Sequence, residues 1–198
     1  MRAFDIYIVG IGGQGVLTIG ELISEAAVEA GIPVNFFPTK GMSQRGGLVK
    51  AQLRLGREAI GPSIPEQSAD LIVSMELSES LKALPYIGKN TEYLLYGNVW
   101  LPTAAMLGKA NYPAKEEVCN AIEAAGAKLY YVEPDALPEF EGKPVRENLF
   151  VLGAVMGKSG LKDILDAEAM SKAIALKWPK AKDSNLAAFN GGLNYGLL

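Results

Sequence analysis

The stretch that most constrains the fold lies near the N-terminus, where an apolar run is followed at once by closely spaced glycines. Residues 4–9 (FDIYIV) are almost all apolar and predict a buried parallel strand. The next residues, GIGGQG, place Gly10, Gly12 and Gly15 in a short turn, and apolar residues then recur at helical spacing over residues 16–30. A strand, a tight turn and a helix in this order predict the beginning of an alternating α/β fold.

The glycine spacing matches G-x-G-x-x-G, the phosphate-binding turn of dinucleotide-binding folds. Such sites also need an acidic residue about 20 residues further on, which binds the ribose hydroxyls. The predicted second strand, PVNFF, contains Asn35 but no Asp or Glu. The alternative is a tight turn whose glycines let the helix pack closely on the sheet. In both cases the helix N-terminus favours an anion, and we expect Gln14 to present its amide to whatever docks there.

The rest of the chain continues the α/β pattern. Strands are predicted at 48–56 (half-exposed), 69–75, 91–97 and 127–132, helices at 76–87 and 114–126, and an irregular segment at 98–112. From about residue 146 onward the chain is predicted to be mainly helical. These elements indicate one α/β domain over residues 1–198, with a Rossmann-like βαβ start.

A second unusual stretch, KGMSQRGG, occupies residues 40–47 and is predicted to be a loop. Its candidate binding residues are Lys40, Ser43, Gln44, Arg45, Gly46 and Gly47. Arg45 beside two glycines suggests a guanidinium held where the backbone approaches another group closely. A loop that combines Met42 with Arg45 is typical of an interface or ligand contact, and a solvated surface loop is the alternative.

The lack of histidine and the single cysteine exclude several classes of catalytic and metal-binding site. The chain has 198 residues and no histidine, which excludes a Ser-His-Asp triad and a His-ligated metal. Its one cysteine, Cys119, is too few to hold an iron–sulfur cluster or to close an internal disulfide, and an unpaired thiol suits a reducing cytoplasm. The net charge of −3 argues against nucleic acid and membrane surfaces as partners. We therefore expect no catalytic or metal-ligating set in this chain. No apolar stretch is long enough to span a bilayer, so we also expect a cytoplasmic protein.

Four further polar residues have less specific patterns. Glu76 follows a predicted strand, where parallel sheets deliver ligand-binding residues, or it only begins the next helix. Cys119 lies in an amphipathic helix and is predicted to pack rather than to react. Asn148 and Asn185 lie in helical stretches and are candidates to bond loop backbone.

The combined motifs resemble a known family. GIGGQG, TKGMSQRGG, PEQSADLIVSME, ENLFVLGA and NLAAFNGG occur in this order across nearly the whole chain. Together they resemble the gamma-type domain of 2-oxoacid:ferredoxin oxidoreductases, and the length and the MSQRGG form are most similar to the beta-subunit branch that acts on indolepyruvate. The resemblance implies a three-layer fold with a mostly parallel sheet and helices on both faces. It also implies a required but incomplete part of an enzyme that decarboxylates 2-oxoacids oxidatively, with coenzyme A as co-substrate and ferredoxin as electron acceptor.

The resemblance implies that the cofactors belong to another polypeptide. A large, Cys-rich partner subunit would hold thiamine diphosphate, Mg²⁺ and the iron–sulfur clusters, and this chain alone would bind no cofactor. Gly12, Gly13, Gln14 and Gly15, with the six loop residues named above, would contact coenzyme A phosphates or dock the partner. The 2-oxoacid stays open, since pyruvate, 2-oxoisovalerate and 2-oxoglutarate enzymes have related subunits, and an isolated chain is a candidate for self-association.

Two other functions remain as alternatives. One is a free-standing oxidoreductase that binds NAD or FAD through the glycine turn. The other is a non-catalytic module that binds a phosphate ligand or serves as an adaptor. Retention of a flavin or nicotinamide by the purified chain would favour the first. Nucleotide binding without a Cys-rich partner would favour the second.

Overall fold

A six-stranded sheet organises the fold. The structure is a computed structural model that describes residues 2–40, 47–58 and 61–196. The sheet comprises β1 (Phe4–Ile11), β2 (Val34–Lys40), β3 (Leu48–Leu55), β4 (Ala69–Ser74), β5 (Ile87–Tyr96) and β6 (Lys128–Val132), and β7 (Glu139–Phe140) pairs with β8 (Lys143–Pro144) in a short hairpin. The α-helices are α1 (Val16–Glu29), α2 (Thr103–Met106), α3 (Lys115–Ala124), α4 (Glu147–Lys158), α5 (Ala167–Lys177) and α6 (Lys182–Leu193). Short 3-10 helices lie at Glu79–Tyr86, Pro134–Ala136, Gly160–Asp163 and Pro179–Ala181.

The strand order in the sheet is β2-β3-β1-β4-β5-β6. The pairings β1–β4, β4–β5 and β5–β6 are parallel, whereas β3 runs antiparallel to both β1 and β2. The predicted α/β class with a mostly parallel sheet is confirmed. One detail of the predicted βαβ start differs. Because β3 lies between β1 and β2, the two strands that α1 connects run in the same direction without bonding to each other.

Successive side chains along each strand point to opposite faces of the sheet, and each face has its own hydrophobic core. On β1, Ile6 and Ile8 join the core beneath α1, α4, α5 and α6. Tyr7 and Val9 point to the other face, where they meet α3 and the 3-10 helix at Glu79–Tyr86. The three layers are therefore helices, sheet and helices. Each fully buried Ile stabilises the fold by about 1.5–3 kcal/mol relative to leaving it exposed.

Strand β3 is more buried than its sequence predicts. The alternation in LVKAQLRLG predicts a half-exposed strand, and this is wrong for its second half, where Gln52 and Arg54 are only 6% and 9% exposed. The reason is that the segment at 61–64 covers this face of β3, where the Arg54 guanidinium donates to the carbonyl oxygens of Gly61 and Ser63. Gln52 Oε1 accepts a hydrogen bond from the Ile64 N–H at 2.6 Å, and Arg54 makes two bonds to the Asp5 carboxylate at 3.1 and 3.0 Å. Arg57 adds longer bonds to the same carboxylate, so the buried charges are paired.

Candidate functional site

The glycine turn, residues 12–15, follows β1 at the edge of the sheet where the parallel strands end, here called the carboxyl edge. Gly13 and Gly15 have φ angles of +107° and +75°, a region that side chains disfavour. The Gly12 N–H donates to the carbonyl oxygen of Gly47 at 2.9 Å. The end of the second glycine-rich stretch is therefore held against the first.

The prediction that Gln14 presents its amide outward is wrong. Its Oε1 accepts a hydrogen bond from the Ile11 N–H at 3.0 Å, and its Nε2 donates to the Met75 carbonyl oxygen at 2.7 Å. These backbone groups lie where β1 and β4 end, and buried backbone groups need partners once the sheet ladder stops. Gln14 therefore ties the ends of two adjacent strands together and shapes the turn from inside.

A groove of about 480 Å³, which we call the glycine groove, lies between the glycine turn and the start of α4. Gly13, Gly15 and Thr18 line one side, and Arg146, Glu147 and Asn148 line the other. A Cβ on Gly15 would collide with the Asn148 side-chain amide, so the two elements approach this closely only because residue 15 is glycine. Since α1 and α4 both begin at this groove, their N-termini favour negative charge there, and the exposed Arg146 adds a positive charge.

Glu147 is the acidic group in this groove. Burial raises the pKa of its carboxyl, and Asn98 Nδ2 donates to Glu147 Oε2 over a long 3.4 Å. A raised pKa favours the neutral, protonated form of a carboxyl group. Glu147 is therefore easier to protonate than an exposed glutamate.

Glu76 is completely buried at the end of β4 and bonds to the chain itself. Its Oε2 accepts hydrogen bonds from the Ser78 hydroxyl and the Glu79 N–H, both at 2.8 Å, which places the carboxylate at the start of the 3-10 helix. Its Oε1 accepts from the Trp100 N–H at 3.1 Å and from the Tyr112 hydroxyl. Burial and the bond to Glu76 raise the pKa of Tyr112. Of the two predicted roles, the helix-start role is therefore the one the structure shows, and the carboxylate also anchors the segment at 98–112.

That segment carries a set of exposed apolar side chains, which we call the apolar patch. Val99, Trp100, Leu101, Met106 and Leu107 are 40% to 66% exposed. The segment starts at the carboxyl edge, close to the end of β4. There the carbonyl oxygen of Asn98 accepts a hydrogen bond from the Leu77 N–H, and the side-chain amide of Asn98 donates to Glu147. Trp and Met are enriched in protein interfaces, and an exposed cluster of large apolar residues marks an interaction surface.

The structure brings together only part of the predicted residue set. Gly12, Gly13, Gly15 and Gly47 lie side by side, and Gln14 also lines the groove, although its amide is bonded to Ile11 and Met75. Lys40 ends β2 with its side chain outside the described residues, and Ser43, Gln44, Arg45 and Gly46 lie outside them altogether. Sequence reasoning missed the groove wall at Arg146 and Glu147, as well as the apolar patch. The signal for the wall was weak, since ENLFVLGA predicts a helix but not which other element its first turn faces.

The two asparagines and the cysteine have simple environments. Asn148 packs against Gly15. The Asn185 amide nitrogen has no hydrogen-bond partner in the described part of the chain, so its predicted bond to loop backbone is wrong there. Cys119 is half-buried on α3 and packs against the core, and burial raises the pKa of its thiol, which disfavours the reactive thiolate.

Two further features are absent from the described part of the chain. Across residues 2–40, 47–58 and 61–196, no three His, Cys, Asp or Glu side chains are grouped so as to hold a metal ion. Over the same ranges, no helix combines the length and the apolar character needed to cross a membrane.

Comparison with curated proteins finds relatives along the whole chain. An indolepyruvate oxidoreductase subunit IorB of Pyrococcus horikoshii is 34% identical over 195 residues, which cover 98% of this chain and 96% of that protein. A pyruvate/ketoisovalerate oxidoreductases common subunit gamma of Pyrococcus furiosus is 28% identical over 174 residues, covering 83% of this chain and 81% of that protein. The chain is thus similar in length to both relatives.

A solved structure and a family model point to the same group of oxidoreductase subunits. The pyruvate oxidoreductase subunit PORC of Thermotoga maritima has the same fold, with a TM-score of 0.69, 23% identity and coverage of 98% of this chain and 97% of that one. The family model described as pyruvate ferredoxin/flavodoxin oxidoreductase matches residues 5–195. The resemblance drawn from the motifs is therefore confirmed: the chain belongs to the pyruvate ferredoxin/flavodoxin oxidoreductase family.

Proposed function

We propose that this chain is the smaller subunit of a heteromeric 2-oxoacid:ferredoxin oxidoreductase. The complex would oxidatively decarboxylate indolepyruvate or a related aryl pyruvate to an acyl-CoA and reduce ferredoxin. The observation that carries the proposal is the 34% identity, over nearly the full length of both proteins, to a subunit named for indolepyruvate. The lower identity of 28% to the pyruvate/ketoisovalerate subunit favours the aryl substrate over the smaller 2-oxoacids.

The cofactors are assigned to a larger partner subunit. A single cysteine and no histidine leave this chain too few ligands for iron–sulfur clusters, so a Cys-rich partner would carry them together with thiamine diphosphate and Mg²⁺. Thiamine diphosphate supplies the electron sink for decarboxylation when it is bound. The apolar patch at the carboxyl edge is the surface that we assign to this partner, because large apolar side chains are held outward there by bonds to Glu76.

The glycine groove is assigned to coenzyme A. A phosphate group suits a groove where two helix N-termini meet beside the exposed Arg146. Gly12, Gly13, Gly15 and Gly47 would let the phosphate approach the backbone, and Gln14 would hold their turn in shape. Lys40, Ser43, Gln44, Arg45 and Gly46 would supply further contacts from the adjoining stretch.

Purification from native cells tests the function. A tag on this chain should co-purify a large, brown, thiamine-containing protein, and untagged cells provide the control. The complex should reduce ferredoxin in the presence of coenzyme A with a higher kcat/KM for indolepyruvate than for pyruvate. A chain that elutes alone with bound flavin or nicotinamide would instead support a free-standing oxidoreductase. A chain that binds a nucleotide with no Cys-rich partner would support an adaptor.

Replacement of Arg45 tests the contacts assigned to the loop at residues 40–47. In the assembled complex, Arg45→Ala should raise the KM for coenzyme A by about 10-fold or more, because a guanidinium–phosphate contact is worth about 1.5–3 kcal/mol. Arg2→Ala is the matched control, since Arg2 is an exposed arginine beyond the opposite end of β1 and pairs with Asp70. Weaker assembly with an unchanged KM would assign the loop to docking. If KM and assembly both match wild type, the loop has neither role.

A further inference from the structure

The sheet ends at β6, whose one neighbour among the described strands is β5. Successive residues of a strand direct their backbone groups to opposite edges. The Gly97 N–H, directly after β5, donates to the carbonyl oxygen of Val132 at 3.0 Å, so residues 128, 130 and 132 face β5. Leu129 and Tyr131 therefore direct their N–H and C=O groups away from the sheet.

These outward backbone groups form a free edge. Within residues 2–40, 47–58 and 61–196, no hydrogen bond reaches the N–H or C=O group of Leu129 or Tyr131. The next outward N–H, that of Glu133, donates to the Tyr195 hydroxyl at 3.3 Å, so the free edge ends there. Unpaired groups on an edge strand are a template for pairing with another strand.

A second copy of the same edge matches these groups in an antiparallel arrangement. Facing residues of an antiparallel pair exchange two hydrogen bonds when both direct their groups toward each other. Leu129 opposite Tyr131 of the second copy meets this condition on each side of a twofold axis, which gives four hydrogen bonds. Tyr130 then lies on the axis, opposite Tyr130 of the second copy.

The neighbouring registers bond fewer groups. A shift of the register in one direction places Tyr131 opposite Ala127, whose N–H is already bonded to Ile122. A shift in the other direction places Leu129 opposite Glu133, whose N–H is bonded to Tyr195. The register centred on Tyr130 is therefore the one that satisfies the free groups of both copies.

Side chains along the edge also suit this neighbour. Leu129 and Tyr131 are half-buried on the α3 face, where each packs on the other residue of the second copy. Tyr130 is half-buried on the opposite face, and its hydroxyl donates to Glu92 at 3.0 Å, which restrains the ring beside its symmetry mate. Aromatic and aliphatic cross-strand pairs of this kind stabilise a sheet.

The charges at the two ends of β6 favour the antiparallel direction. The exposed Lys128 begins the strand, and the exposed Glu133 and Asp135 follow its end, of which Glu133 also pairs with Lys115. An antiparallel pair places the basic end of one copy beside the acidic end of the other. The two Lys128 residues lie about 13 Å apart along the ladder, which exceeds the Debye length of about 8 Å at physiological ionic strength.

We propose that two copies of this chain associate through β6, in an antiparallel ladder centred on Tyr130. The ladder joins the two six-stranded sheets into one continuous sheet across a twofold axis. This inference does not rest on the proposed enzymatic function, because it uses only the hydrogen-bonding groups, side chains and charges of the edge.

Oxidative cross-linking of the full chain tests the register. Tyr130→Cys should form a disulfide-linked dimer, because facing residues that do not share hydrogen bonds have Cα atoms about 4.5 Å apart, within reach of a disulfide. Lys128→Cys is the matched control on the same face of β6, and its copy lies too far away to cross-link. Wild type controls for Cys119. Equal cross-linking of the two variants, or none in either, contradicts the proposal.

Sedimentation velocity of the full chain tests the association itself. The dimer fraction of wild type should rise with concentration, and a wild-type chain that is still monomeric at about 1 mM overturns the proposal. Tyr130→Glu and Tyr130→Lys should each raise the dissociation constant of the dimer about tenfold or more, because like charges then face each other on the axis. An equimolar mixture of the two should dimerise again, which a folding defect would not produce. A mixture as monomeric as its components contradicts the pairing.

Discussion

Trp100→Asp is expected to weaken binding of this chain to its larger subunit by about thirtyfold or more. Trp100 is 53% exposed, yet its backbone N–H is bonded to the buried Glu76, so its indole is held outward from a fixed point. Interface tryptophans typically contribute about 2 kcal/mol or more when truncated, and an aspartate also places an unpaired charge in the contact. Ferredoxin reduction should fall in parallel at low subunit concentration and recover as the concentration rises.

Leu176→Asp is the matched control for this prediction. Leu176 is 68% exposed on α5, in the helical layer and outside the apolar patch. Sedimentation or interferometry with the purified larger subunit measures the affinity of both variants, and thermal melting shows that both still fold. Similar affinities for wild type and Trp100→Asp would remove the apolar patch as the docking surface while leaving the proposed enzymatic function standing.

Gly192→Ala is expected to lower the free energy of unfolding by about 3 kcal/mol, although alanine normally favours a helix over glycine by about 1 kcal/mol. The reason is the close packing of α4 against α6. A Cβ on Gly192 would overlap the carbonyl oxygen of Phe150 and come within 2.8 Å of the Ala154 nitrogen. Both obstacles are backbone atoms, so the helices themselves have to separate. Chemical denaturation measures this effect, and the Tm should fall by about 6–12 °C.

Asn190→Ala on the exposed side of the same helix provides the control. It adds no steric conflict and should leave stability unchanged or raise it by up to about 0.7 kcal/mol. A functional effect should accompany the loss of stability in Gly192→Ala. Because α4 carries Arg146 and Glu147 at its start, displacing this helix should also raise the KM for coenzyme A in the assembled complex. A Gly192→Ala chain as stable as wild type would show that α4 and α6 are less closely packed than described.

Local patterns along the chain predicted the secondary structure well where the signal was periodic. The run at residues 4–9 became β1, and the helical spacing after Gly15 became α1 from Val16. The irregular segment at 98–112 holds only the four-residue α2 among its regular elements. Such features depend on neighbours a few residues apart, which is the information that a sequence displays directly.

The errors arose where partners are distant in the chain. Arg54 is polar and alternates with apolar residues, which predicts exposure, but the tertiary structure pairs it with Asp5 inside the sheet. Gln14 has one local partner, the Ile11 N–H, but its Nε2 donates to the carbonyl oxygen of Met75, which directly follows the adjacent strand β4. In both cases a buried polar group takes a partner that only the folded chain brings near.

The sequence by itself determined the α/β class, the family motifs and the shortage of metal ligands, because these depend on residue identity and short-range spacing. Only the tertiary structure decided that Gly12 meets Gly47, that the start of α4 closes the glycine groove, and that Glu76 holds the apolar patch outward. Those contacts join residues that are far apart along the chain. The contact of Gly12 with Gly47 depends on the insertion of β3 between β1 and β2, which places the start of β3 beside the end of β1.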